Sequence, residues 1–165
     1  MKYLVVSDIH GSSEYISYLF RLMQIENPDK VIILGDMLSL DNECLRILDF
    51  IEEYKDKVIL IKGNCDFECY FNDPLLDYYR EEINGSVFIF THGHLYSYDD
   101  LPCNVFVHGH THISELKEFD NKILFNPGSL AKPRAGTNSY GLITDDELII
   151  KDVNNNVMKK LRYRK

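Results

Sequence analysis

Hydrophobic residues in this chain come in short runs, each closed by polar or turn-forming positions. They are YLVVS (3–7), VIIL (31–34), VILI (58–61), VFIF (87–90), VFVH (105–108), ILF (123–125), YGLIT (140–144) and ELIIK (147–151). Runs of this length, rich in Val, Ile, Leu and Phe, predict buried or half-buried strands. Between the first three the spacing changes. From Ser13 to Glu26 and from Asp41 to Tyr54 apolar residues recur at helical intervals, as at Ile16, Leu19, Phe20 and Met23, then Leu45, Leu48 and Ile51. Strand, helix, strand, helix, strand predicts a right-handed parallel βαβαβ unit. From Ser86 onward strand follows strand with short turns, which suits an antiparallel or mixed sheet. The expected class is α/β: two packed sheets flanked by helices. With 165 residues, 45% of them hydrophobic, one core and a single domain over 1–165 are expected. There is no internal repeat, and the basic tail KKLRYRK is too short to form a domain.

Against this pattern the chemistry-bearing residues are unevenly placed. They follow the strands: Asp8 and His10 after the first, Asp36 after the second, Asn64, Cys65 and Asp66 after the third, His92 and His94 after VFIF, His110 and His112 after VFVH. In α/β sheets the carboxyl ends of strands surround one crevice, so five strand ends point to one site. Asp, His and Asn offer oxygen and nitrogen ligands suited to Mn, Fe, Zn, Ni or Co, whereas Ca²⁺ sites rarely use imidazole. Residues at i and i+2 in extended chain point the same way, so DIH, HGH and HTH can each serve one site. Seven such groups exceed the needs of one ion that also binds water and substrate. Two ions about 3.5–4 Å apart, sharing one carboxylate, would use them all. Each piece alone has a plainer explanation: DIHG opens a helix with Ser12 or Ser13 as cap, and LGD is a common turn. His108, inside its apolar run, reads as a core histidine satisfied by hydrogen bonds.

The formal net charge of −8 opposes binding to extended nucleic acid, which needs many Lys and Arg on phosphates. The start of the chain carries four consecutive apolar residues before Ser7, short of a secretory signal, and no run approaches a membrane span. A soluble cytoplasmic protein is expected. Cys44, Cys65, Cys69 and Cys103 form no CxxC pair, so free thiols are expected, with a structural zinc site as the competing reading.

The order D-x-H, G-D, G-N-x-D, H, G-H-x-H resembles the calcineurin-like metallophosphoesterase superfamily. SDIHG, GNCD, THGH, GHTH and NPGS (126–129) resemble its branch of small YfcE-like phosphodiesterases. The resemblance implies a four-layer αββα sandwich, often a homo-dimer or homo-tetramer, holding two divalent ions. Mn is the first choice, with Ni, Fe, Zn, Co or Mg as alternatives. Asp8, His10 and His112 would hold one ion, and Asn64, His92 and His110 the other. Asp36 would bridge them, and a hydroxide activated between the ions would attack a small phosphodiester. In much of the superfamily a His follows the Asn and assists the leaving oxygen; here it is Cys65, a weaker donor, so good leaving groups should be handled best. As a nucleophile Cys65 lacks an evident basic partner. Asp66 either orients a ligand imidazole or simply turns the chain. His94 is read as supporting or substrate-facing. Arg134 is either a phosphate clamp or a surface residue, and with Lys132 it is the only cation in reach for a phosphomonoester. Asn126, Gly128 and Ser129 either approach the metals or turn the chain. The competing functions are a non-catalytic metal-binding protein-interaction scaffold, as in the retromer subunit of this fold, and a phosphatase or nuclease of short substrates.

Overall fold

The computed structural model describes residues 1–39 and 46–164. The first half follows the predicted alternation: β1 (Tyr3–Val6), α1 (Ser13–Glu26), β2 (Lys30–Ile33), α2 (Arg46–Glu53) and β3 (Val58–Leu60). Then come β4 (Tyr78–Ile83), β5 (Ser86–Thr91), β6 (Val105–His108), β7 (Glu115–Phe119), β8 (Lys122–Asn126), β9 (Ser139–Ile143), β10 (Glu147–Asp152) and β11 (Val157–Arg162). They form two mixed sheets, of strand order β11-β10-β9-β1-β2-β3 and β4-β5-β6-β8-β7. In the first, β1, β2 and β3 are parallel. In the second, β5, β6 and β8 are also parallel, so each sheet has a parallel trio whose carboxyl ends face the same way.

Alternation along the strands assigns each side chain to a layer. Tyr3, Val5 and Ile32 meet Phe88, Phe90, Val105, Val107 and Phe125 between the sheets. Leu4, Val6, Val31 and Ile33 face the helices and receive Ile16, Leu19, Leu22 and Met23 of α1 with Ile47 and Phe50 of α2. Both helices thus form one outer layer. The other outer layer is irregular chain, in which Tyr98, Leu101 and Cys103 cover Ile89, Phe106 and Leu124.

Local signals explain the limits of α1. The Ser12 side chain accepts from Tyr15 N, and Asn27 closes the helix in left-handed conformation (φ 43°) before Pro28. In α2 the structure buries Ile47 and Phe50 and leaves Leu48 and Ile51 half-buried, a rotation from the predicted face. The predicted start of that helix, with Leu45 and Cys44, lies outside the described residues. Sequence reading missed β4, β7 and β11. All three are sheet edges, rich in Lys, Arg and Glu, which blunt an exposed edge and erase the apolar signal. No helix among the described residues is long and apolar enough to cross a membrane.

One buried charge ties the far end of α1 to the first sheet. Glu26 accepts from Lys2 Nζ (2.6 Å), Lys151 Nζ (2.8 Å) and the Tyr140 hydroxyl (2.9 Å). Burial pushes its carboxyl up, but Lys151, Lys2 and Tyr140 pull harder and hold it below the ordinary glutamate range. Ionised Glu26 therefore stabilises the fold above the unfolded-chain pKa, about 4.3, and that stability is lost as pH falls through the lower folded value. Glu26→Gln is expected to cost about 2 kcal/mol at pH 7 and markedly less at pH 3, as read by denaturant unfolding at both.

Candidate metal centre

The carboxyl ends of β1, β2, β3, β5 and β6 bring seven side chains together. Asp8, His10, Asp36 and His112 each offer a ligand atom within 4.8 Å of the others, and so do Asp36, His92 and His110. Asp36 belongs to both groups. Asn64 joins the second, its Oδ1 3.1 Å from His92 Nε2. Asp8, Asp36, His92 and His112 are buried, His10 and His110 half-buried, and Asn64 exposed, so the cluster is a pit with charge at its floor and Asn64 at its rim.

The backbone is bent to make this happen. Asp8 (φ 55°), His10 (46°), Asp36 (51°), His110 (67°) and His112 (61°) all adopt left-handed conformations, which residues other than Gly, Asn and Asp seldom do. Each costs of order 1–3 kcal/mol unless the surroundings impose it. Here hydrogen bonds do: Asp8 N donates to Gly35 O (3.1 Å), His10 N to Asp36 O (2.9 Å), and His110 N to Asp8 Oδ2 (3.1 Å). Close packing of the turns needs glycine at Gly35, Gly63 and Gly109, the first also at φ 98°. A Cβ at Gly63 would overlap Asp36 N and Oδ1, and one at Gly109 would overlap Ser7 Oγ.

Two imidazoles have their tautomers set by carbonyls. His92 Nδ1 lies 2.6 Å from Leu34 O, and His112 Nδ1 2.7 Å from Lys132 O, so in the neutral ring each Nδ1–H donates and each Nε2 keeps its lone pair. Those lone pairs face carboxylate oxygens and a third imidazole. His112 Nε2 is 3.2 Å from Asp8 Oδ1 and 3.3 Å from His10 Nε2; His92 Nε2 is 3.4 Å from Asp36 Oδ2. Asp8 Oδ1 is buried and has no hydrogen-bond partner. A cage of inward-facing acceptors with an orphaned carboxylate oxygen at its floor fits a cation, and the mixture of O and N donors fits a borderline divalent metal.

Electrostatics follow from the packing. Burial pushes the Asp36 carboxyl up, but His92, the Cys65 N–H and His10 outweigh it and hold it well below the usual carboxylate range. At His92 burial lowers the pKa and Asp36 raises it, with the rise prevailing. Burial lowers His10 past the pull of Asp36 and Asp8, with Lys132 adding to the lowering. At His110 burial and His92 do the same, with Arg134 adding. Arg134 and Lys132 are both exposed, yet their charges reach the pit.

The remaining predicted residues occupy distinct places. The Cys65 backbone N–H donates to Asp36 Oδ1 (2.8 Å), and burial beside Asp36 pushes its thiol up to about 11, so it stays protonated near neutrality. Cys69 is exposed, and Cys65, Cys69 and Cys103 are free. Asp66 orients no ring. Its carboxylate accepts from the backbone N–H groups of Asp36, Met37, Leu38 and Gly63 at 2.8–3.2 Å, binding the β2 and β3 turns together. His94 stands edge-on to His92, centroids 5.2 Å apart, and its buried Nδ1 has no hydrogen-bond partner. His108 lies behind the pit, Nδ1 3.2 Å from Gly109 O and Nε2 3.8 Å from Glu115.

Sequence reasoning missed the carbonyls of Leu34 and Lys132, for which any residue would serve. It also left Asn126 and Ser129 undecided. Both are buried. Asn126 Nδ2 donates to Gly109 O and Thr111 Oγ1, and Ser129 Oγ donates to Asp8 O.

Known proteins share this fold. The sequence profile of the calcineurin-like phosphoesterase superfamily domain matches residues 1–147. Phosphodiesterase YfcE of Escherichia coli strain K12 is 30% identical over 167 residues, covering 91% of each chain. A probable metallophosphoesterase, YsnB of Bacillus subtilis, is 31% identical over 156 residues, covering 87% of this chain and 84% of its own. The solved structure of the E. coli phosphoesterase YfcE superposes with a TM-score of 0.90 at 27% identity, covering 99% of this chain and all of that one. Vacuolar protein sorting 29 of Cryptosporidium parvum shares the fold alone, with a TM-score of 0.72 at 19% identity. The fold is that of a phosphoester hydrolase of the metallophosphoesterase kind, and the chain carries two groups of residues that could hold a metal ion. The chain belongs to the calcineurin-like phosphoesterase superfamily.

Proposed function

We propose that the chain is a phosphodiesterase that uses two divalent ions, with Asp8, His10 and His112 holding one, Asn64, His92 and His110 the other, and Asp36 shared. The carrying observation is that one carboxylate, Asp36, belongs to both ligand groups. The E. coli relative named a phosphodiesterase supports the substrate class. Two bound divalent ions supply Lewis acidity, lowering the pKa of a water and neutralising charge on the phosphoryl oxygens.

The chain's own residues do the rest. Leu34 O and Lys132 O keep the His92 and His112 lone pairs aimed inward. Asp66 holds the backbone that carries Asp36 and Asn64. Arg134 and Lys132, exposed at the rim, draw an anionic substrate toward the pit, and His94, beside His92, is our candidate for contact with a substrate oxygen. Cys65, neutral and beside Asp36, gives the departing alcohol little help, so activated aryl diesters are the preferred substrates. Mn is the proposed occupant, and a cytoplasmic homo-dimer or homo-tetramer of one domain per chain the proposed state. Metal analysis of the protein as purified and sedimentation equilibrium test these two points.

Cys65→His is expected to raise turnover of an alkyl phosphodiester at least about 10-fold while changing that of an aryl diester less than about threefold. Equal effects on both would show that the position does not face the leaving oxygen. The proposal as a whole is tested by screening aryl diesters and 2′,3′- and 3′,5′-cyclic nucleotides with each divalent ion. Hydrolysis of none of them by protein carrying two ions would favour the scaffold reading.

A further inference from the structure

The two candidate subsites are braced by different parts of the chain. The second is held by the ends of β2 and β3: Leu34 O takes the His92 Nδ1–H, and Asp66 gathers the N–H groups beneath Asp36 and Gly63. The first is held from across the molecule by residues 126–132. Within that loop one hydroxyl makes the decisive contacts. Ser129 Oγ, fully buried, donates to Asp8 O (2.8 Å) and accepts from Lys132 N (2.7 Å) and Ala131 N (3.3 Å). Lys132 then presents its carbonyl to His112 Nδ1. One atom thus connects the backbone of Asp8 to the group that fixes the tautomer of His112. Leu130 N donates to Ser7 O (3.0 Å), and Asn126 fastens the same loop to Gly109 and Thr111.

We infer that Ser129 is a positioning residue chiefly for the first metal subsite, acting through Asp8 and through the Lys132 carbonyl on His112. The inference rests on the two-ion reading above. Without the hydroxyl, Lys132 N loses its acceptor, the carbonyl drifts, and the His112 ring is free to rotate or change tautomer. Asp8 O loses the hydroxyl that donates to it, leaving Asp8 N to Gly35 O as the bond that fixes its backbone. Neither change reaches His92, Asn64 or Leu34, and the second subsite's His110 is touched only through its N–H to Asp8 Oδ2.

The test is titration calorimetry of metal-free protein with Mn²⁺. The step belonging to the first subsite is identified as the one lost in His10→Ala. Ser129→Ala should weaken that step 10- to 100-fold, the usual effect of removing a partner that orients a ligand, and leave the other within about threefold. Asn138→Ala is the control. It removes another anchor of the same loop, Asn138 Nδ2 to Leu130 O (2.9 Å), and should leave both steps within about threefold. Should the alanine variant be recovered unfolded, Ser129→Cys, similar in volume and weaker in hydrogen bonding, carries the same expectation. Uptake of two ions by the wild type with an unchanged first step in Ser129→Ala would overturn this inference alone. So would an equal loss in Asn138→Ala, which would make the effect general loop packing. Uptake of a single ion by the wild type would overturn the two-ion reading and this inference with it.

Discussion

Asp36→Asn should reduce kcat/KM for an aryl phosphodiester by at least about 10³-fold while leaving the fold intact. The fold survives because asparagine keeps an oxygen for the Cys65 N–H, which Asp36 Oδ1 now accepts at 2.8 Å. What disappears is the negative charge on the atom facing both ligand groups, Oδ2, 3.4 Å from His92 Nε2 and 3.6 Å from His10 Nε2. An amide there offers either a neutral oxygen or an N–H pointed at two imidazoles. Both ions lose their shared anionic ligand, and metal uptake should fall below two per chain. Circular dichroism and the melting temperature of the metal-free protein should stay close to those of the wild type. Substantial residual turnover would contradict the shared role of Asp36.

Asp66→Ala should produce the largest loss of stability, of order 3–5 kcal/mol. Its carboxylate satisfies four backbone donors, on Asp36, Met37, Leu38 and Gly63, in a buried place where water does not substitute. Leaving a buried donor unpaired costs about 1–3 kcal/mol, and relaxation of the turns recovers part of the sum. In a chain of this size the melting temperature should drop by roughly 6–15 °C. A fall of less than 2 °C would mean that the β2 and β3 turns hold themselves. Because Asp66 touches no imidazole in the structure, activity per folded molecule should suffer less than stability. That separates it from the orienting role its sequence position suggested.

These two aspartates show what sequence could and could not convey. Asp36, like Asp8, His10, Asn64, His92, His110 and His112, was legible because it closes an apolar run. The strand periodicity says where each run ends, and residue type does the rest. Asp66 stood two residues past Asn64 and looked alike in type, yet its partners are N–H groups, which every residue but proline carries and no pattern distinguishes. The carbonyls of Leu34 and Lys132 are hidden for the same reason. Strands β4, β7 and β11 escaped because edges are solvated on one side and carry charge where the centre carries valine. Helix α2 was found but its face misplaced, since Leu48 and Ile51 look as apolar as Ile47 and Phe50 until the sheet beneath selects among them. Left-handed backbone at Asp8, His10 and His112 was equally invisible: it is imposed by Gly35 O, Asp36 O and neighbouring loops rather than by the residues that adopt it.

The pairing of two ions through Asp36 with phosphodiester hydrolysis is tested most directly by adding Mn²⁺ stepwise to metal-free protein while following cleavage of bis(p-nitrophenyl) phosphate. Two ions should bind per chain, and turnover should rise chiefly with the second. Full activity with one ion bound, or two ions bound without hydrolysis, would contradict it.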